Sequence, residues 1–169
     1  MKSLKTLLSV FAIAAFLTAN ATAQEQSTVT ATALVQADLT VTTTTNIDLG
    51  TIQTGATSTI KANANDGATE ANLGTGATAG QVDVSGTASA SVTVNFTNAT
   101  LDNGSDPLTF TTVVYNGASA VSDGASISLD GSGDAQLDIG GSLAAPAGTG
   151  TYDTATGSGS PITVTITYD

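Results

Sequence analysis

Histidine, cysteine, tryptophan and arginine are absent from this chain of 169 residues, and lysine occurs only at Lys2, Lys5 and Lys61. Each absence removes a class of chemistry. General acid–base catalysis draws mostly on histidine, and covalent catalysis needs an activated nucleophile. Paired carboxylates could still hydrolyse a glycoside. The acids here lie mainly at turns, however, and aromatics are 4% of residues, too few to build a wall that holds sugar. No enzymatic activity is expected. Without histidine and cysteine, zinc is disfavoured. Without cysteine there are no disulfides, so packing and sheet hydrogen bonds must hold the fold. Neither Gly74-Thr75-Gly76 nor Gly148-Thr149-Gly150 is followed by a lysine or a helical pattern, so neither is a phosphate loop. No cofactor is expected.

The few cations sit mostly at the start. Lys2 and Lys5 precede an apolar run from Leu7 to Leu17, and Ala21-Thr22-Ala23 offers small residues for cleavage. Residues 1–23 read as a cleaved signal peptide, the apolar run being too short to span a bilayer. The chain is therefore expected to be secreted, in the periplasm, at the cell surface or outside the cell. Cleavage would leave one lysine against 14 acidic residues, a net charge of 1 − 14 = −13. Such a chain repels nucleic acid and anionic membranes. Cations, neutral glycans, other copies of the chain or related subunits remain as partners, along with a secretion chaperone.

What is abundant is threonine, and it alternates. From Val29 the odd positions run Val29, Ala31, Ala33, Val35, Ala37, Leu39 and Val41, while the even ones are polar except Leu34. A period of two marks a strand with one buried face. The same rhythm recurs at 88–96, 125–129, 135–139 and 162–168, and 108–115 is rich in Thr, Val and aromatics. Shorter candidates are 47–52, 57–62 and 81–85. Asx-Gly pairs at Asp66, Asn103, Asn116, Asp123 and Asp130 supply turns between the runs. Pro107 and Pro161 stand just before strands, where a missing N–H does little harm. No stretch after the leader has a helical stripe. The expected fold is an all-β antiparallel sandwich of eight or nine strands, with long loops at 63–80 and 144–160.

The segment Thr28–Thr42 is too long for an ordinary strand: it would extend about 50 Å at ~3.3 Å per residue, against about 17–20 Å for a usual strand. Either it spans both sheets, or part of it projects. A projecting strand can add to the open sheet edge of a neighbour. Residues 24–36 are then an N-terminal extension or donor strand, and 37–169 the sandwich domain.

Several motifs in order, Ile47-Asp48-Leu49-Gly50-Thr51-Ile52, Val84-Ser85-Gly86, Gly140-Gly141-Ser142-Leu143, Gly150-Thr151-Tyr152 and the ending Ile162 to Tyr168, resemble a secreted bacterial domain of unknown function (number four-four-zero-two). That family is similar to spore coat protein U and to chaperone–usher pilins. The resemblance covers roughly Ala31 to Asp169. It implies an immunoglobulin-like, pilin-like sandwich at a cell surface or in a fimbrium, and no catalytic residues. Gly140-Gly141 fits a tight bend after a strand, where Cβ atoms would clash. Tyr152 and Tyr168 fit half-buried rings whose hydroxyls reach an edge.

Two loops gather oxygen donors, Asp102 to Asp106 and Asp130 to Asp134. Calcium prefers such ligands, yet neither loop is an EF-hand, and Asp-Gly is also an ordinary hairpin turn. No metal is expected, with Asp102, Asp106, Asp130 and Asp134 as the calcium candidates. The functional expectation is a structural subunit of a pilus-like filament or surface layer. Val29, Ala31, Ala33 and Val35 would be the teeth of a donated strand, and Ile162, Val164, Ile166 and Tyr168 the receiving edge. The alternative is a monomeric surface module that binds glycan or an envelope protein, with or without calcium, through its long loops.

Overall fold

The computed structural model describes residues 30–169; the expected signal peptide and Val29 lie outside the described residues. Contacts divide the chain into two units, Met1–Leu34 and Val35–Asp169. In the first unit, the described residues 30–34 are exposed and belong to no strand.

The second unit is an all-β antiparallel sandwich. Its strands are β1 (Thr40–Thr45), β2 (Ser58–Ile60), β3 (Gly80–Ser85), β4 (Ser91–Phe96), β5 (Ala99–Leu101), β6 (Leu108–Asn116), β7 (Ser119–Val121), β8 (Ala125–Ser128), β9 (Asp134–Leu143) and β10 (Val164–Tyr168). The large sheet has the order β1-β3-β9-β6-β5, with β2 added to β9 and β7 to β6; the small sheet is β10-β4-β8. Every strand pair is antiparallel.

Alternation builds the core. Val82 and Val84 of β3, Leu137 and Ile139 of β9 and Val114 of β6 point inward from the large sheet. They meet Val92 and Val94 of β4 and Ile166 of β10 from the small one. Each such side chain, fully buried, contributes about 1.5–3 kcal/mol. A second cluster, Leu49, Ile60, Ala99, Leu108, Phe110 and Leu143, is flanked by Ile52, Leu73, Tyr152 and Ile162 from connecting segments.

Three local expectations change. The alternating run from Thr28 does not form one long strand: residues 30–39 lie outside the strands and β1 begins at Thr40. Alternation makes a strand possible, but a strand also needs a partner for its backbone groups, and β1 finds one only alongside β3. The motif at 47–52 supplies a single bridge, Asp48 to Thr78, because Gly50 turns the chain at φ 65° with its N–H on the Asp48 carboxylate. Gly140 and Gly141 lie inside β9, not after it. There a Cβ on Gly140 would collide with the Ala62 amide and one on Gly141 with the Thr111 carbonyl.

Candidate functional site

The site is a strip of core that the small sheet fails to cover. Val41 pairs with Val84 and Thr43 with Val82, so Val41 and Thr43 face inward beside two buried valines. Yet every residue of β1 is exposed, and Val41 keeps 41% of its surface open to solvent. Across the strip stands β10, the last strand of the small sheet on that side. Between them runs a groove of about 920 Å³. Val41, Ile47, Val82 and Ile139 lie on one side of it, Ile162 and Val164 on the other, and Tyr152 near one end. Ile47 and Ile162 each touch both core clusters and remain only half-buried.

β10 offers an open backbone edge to this groove. The Thr97 amide donates to the Thr163 carbonyl at 3.1 Å and the Asp169 amide to the Ser91 carbonyl at 3.2 Å. Odd-numbered residues therefore turn their backbone groups toward β4, matching the register Thr165–Asn95 and Thr167–Thr93. By the alternation of an antiparallel ladder, Val164, Ile166 and Tyr168 turn theirs toward the groove, and no strand among the described residues pairs with them. The same residues point their side chains inward: Ile166 is buried, and Val164 and Tyr168 are half-buried.

The root of the N-terminal segment is fixed at one end of this strip. The Tyr168 hydroxyl donates to the Ala37 carbonyl at 2.9 Å and accepts from the Thr87 amide at 2.7 Å. The Ala37 amide in turn donates to the Thr87 hydroxyl. Of the four expected teeth, Val29 lies outside the described residues, while Ala31, Ala33 and Val35 are exposed and unpaired, Val35 at 87%.

The groove's other end is walled by the loop from 144 to 163, which carboxylates hold in place. Asp102 accepts from the Ser158 amide and hydroxyl at 2.8 and 2.9 Å and from the Gly104 amide at 2.8 Å. Its backbone exchanges hydrogen bonds with Asp153. Asp106 accepts from the Tyr152 hydroxyl at 2.8 Å and the Ala147 amide at 3.3 Å. Burial, and then that bond to Asp106, raise the Tyr152 phenol above its ordinary pKa. Asp130, at the opposite end of the sandwich, accepts from the Ser132 and Asp134 amides in the β8–β9 turn. The two calcium-candidate loops are thus far apart in the topology; Asp102 accepts on both carboxylate oxygens and Asp130 on Oδ1. Among the described residues, no group of three or more acidic side chains is placed to hold a metal ion.

These bonds lead to an expectation of acid sensitivity. The Ser158 amide holds the Asp102 carboxyl below the usual range, the Asp134 amide does so for Asp130, and the Thr156 side chain for Asp153. Asp169 is lowered by Ser91 and then Thr93. A carboxyl whose folded pKa is depressed stabilises the fold above its unfolded pKa of about 3.9. That contribution is lost as pH falls through the depressed values. The melting temperature is expected to be flat from about pH 7 to 5 and to fall below about pH 4. Asp102→Asn should melt lower than the parent at neutral pH and close to it in acid; a parent melting point unchanged in acid would contradict the sign.

The sequence pointed to β10 as a candidate edge, and the structure adds β1 as the groove's other wall. A run of Thr40 to Thr45 shows nothing unusual by itself; the signal is its exposure despite inward-facing partners. Compared with family models, curated proteins and solved structures, the chain finds no match.

Proposed function

We propose that the protein is a secreted structural subunit that assembles into a pilus-like filament or surface layer by strand donation. The groove of one copy takes residues 24–36 of the next. The observation that carries this reading is the inward-facing yet exposed pair Val41 and Thr43 beside the unpaired edge of β10. One added strand would extend the small sheet to four strands and cover β1. The segment is long enough, starts at the body's edge and alternates from Val29 to Val35 save for Leu34. The resemblance to pilin-like domains agrees with the reading.

Parity selects the seats. Antiparallel addition continues the only pairing mode of this fold and is slightly the more stable per residue. Inward teeth then oppose inward residues of β10, and the register that seats all four teeth on the four edge residues puts Val29 against Tyr168, Ala31 against Ile166, Ala33 against Val164, and Val35 against Ile162. The alanines take the two middle seats and the larger valines the two ends. The segment then comes in from the Ile162 end, while its own body holds Ala37 at the Tyr168 end. Copies therefore stack head to tail, a contact that does not close on itself. Parallel insertion would instead reach the groove from the Tyr168 end and give a closed, arm-exchanged dimer.

The test compares residues 24–169 with 37–169. The longer chain should form extended oligomers visible by electron microscopy, and the shorter should remain a folded monomer. A peptide of residues 24–36 should bind the shorter chain one to one. Oligomers formed equally well by both chains, or a peptide that does not bind, would sink the reading. A monomeric longer chain would favour the surface-module alternative.

A further inference from the structure

The same geometry makes the junction between copies electrostatically awkward; the argument rests on the strand-donation reading above. With Val35 seated opposite Ile162 of the acceptor, it stands only two residue steps, through Gln36, from Ala37, which the donor's own Tyr168 holds. Two residues reach about 7 Å at most. The donor's Tyr168 end must therefore abut the acceptor's Ile162 end.

Both ends are acidic. Asp38, Asp130, Asp134 and Asp169 are exposed at the Tyr168 end, where the β3–β4 and β8–β9 turns meet through the Gly86–Gly133 and Ser89–Asp130 hydrogen bonds. At the other end, Asp48 and Asp153 line the mouth of the groove, and Asp102 is bridged to Asp153. Against them stands one lysine among the described residues, Lys61, which follows β2 with its backbone against Gly140 of the large sheet. Charges closer than the Debye length of about 8 Å are not fully screened at physiological salt.

We propose that successive copies meet through like-charged faces, so that ionic strength gates assembly: the groove supplies the affinity and the junction sets the rate. Repulsion of this kind acts mainly on association, where electrostatics changes rates by about tenfold or more.

Light scattering by residues 24–169 tests the proposal. Assembly should be about tenfold faster at ~300 mM than at ~20 mM sodium chloride. Asp38→Asn with Asp134→Asn removes two exposed charges from the junction and should assemble at low salt nearly as fast as the parent does at high salt. Asp83→Asn with Asp138→Asn removes as many charges from the outer face of the large sheet, and should keep the parent's salt dependence. Binding of the 24–36 peptide to residues 37–169 forms no junction and should vary little with salt. A parent rate that is flat or falls with salt, while the peptide still binds, overturns this inference alone. So does an outer-face variant that behaves like the junction variant. Failure of the peptide to bind overturns strand donation itself.

Discussion

Gly140→Ala is expected to leave little folded protein. Residue 140 sits in β9, between β6 and the turn of chain that follows β2. A methyl group there would meet the Ala62 amide nitrogen, the Lys61 carbonyl carbon and the Ile60 carbonyl oxygen, all of them backbone. A flexible side chain could move aside; a backbone strand held by the β2–β9 ladder cannot without breaking that ladder. Steric conflict of this kind belongs with the largest single-residue effects, above about 4 kcal/mol, against a total stability of about 5–15 kcal/mol for a domain. Thermal melts followed by circular dichroism should show no cooperative transition, or one far below the parent's. A melt within a few degrees of the parent would mean that β2 does not approach β9 so closely. Gly141 is constrained in the same way by the Thr111 carbonyl, at φ 151°.

Val164→Asp should have an effect almost as large on assembly and a small one on folding. Val164 is half-buried at the lip of the groove, so a carboxylate there can stay hydrated in the free subunit. The cost to folding is limited to lost strand propensity and some packing, about 1 kcal/mol. With a donor strand seated, the same carboxylate would be covered opposite Ala33 with no cation in reach. An unpaired buried charge costs about 3–5 kcal/mol, which weakens binding of the 24–36 peptide by about a hundredfold or more. Ile166→Asp cannot serve this purpose, because Ile166 is buried in the free subunit and its loss threatens the core. Parent-like affinity of the Val164→Asp body for the peptide would move the binding seat away from β10.

The two-residue rhythm of the sequence was enough to place the inward faces of β4, β8, β9 and β10, because burial on one face forces alternation, whereas β3 and β6 were legible as strands from their β-branched content without a declared face. It did not reveal β5 or β7. Each has only three residues, too short for a period to declare itself. At 47–52 the apolar spacing suggested a strand, but Gly50 and the Asp48 carboxylate bend the backbone out of pairing. The groove was half legible. Ile162 to Tyr168 reads as an edge from its position and pattern, whereas the emptiness over Val41 depends on how many strands the opposite sheet has. That count is a property of topology, and no local pattern encodes it. Asp102 and Asp130 illustrate how turn chemistry resembles ligand chemistry in a sequence: each carboxylate accepts from backbone amides of its own turn, that of Gly104 for Asp102 and those of Ser132 and Asp134 for Asp130.

The Tyr168 hydroxyl has one more consequence, a mechanical one. It joins Ala37 to Thr87 across the start of β1, so tension applied along the N-terminal segment is shared by β10 and the β3–β4 turn before it loads the β1–β3 ladder. A pull directed along β1 would then load the rungs of that ladder together. A chain of such subunits would resist stretching by shear instead of peeling open one hydrogen bond at a time.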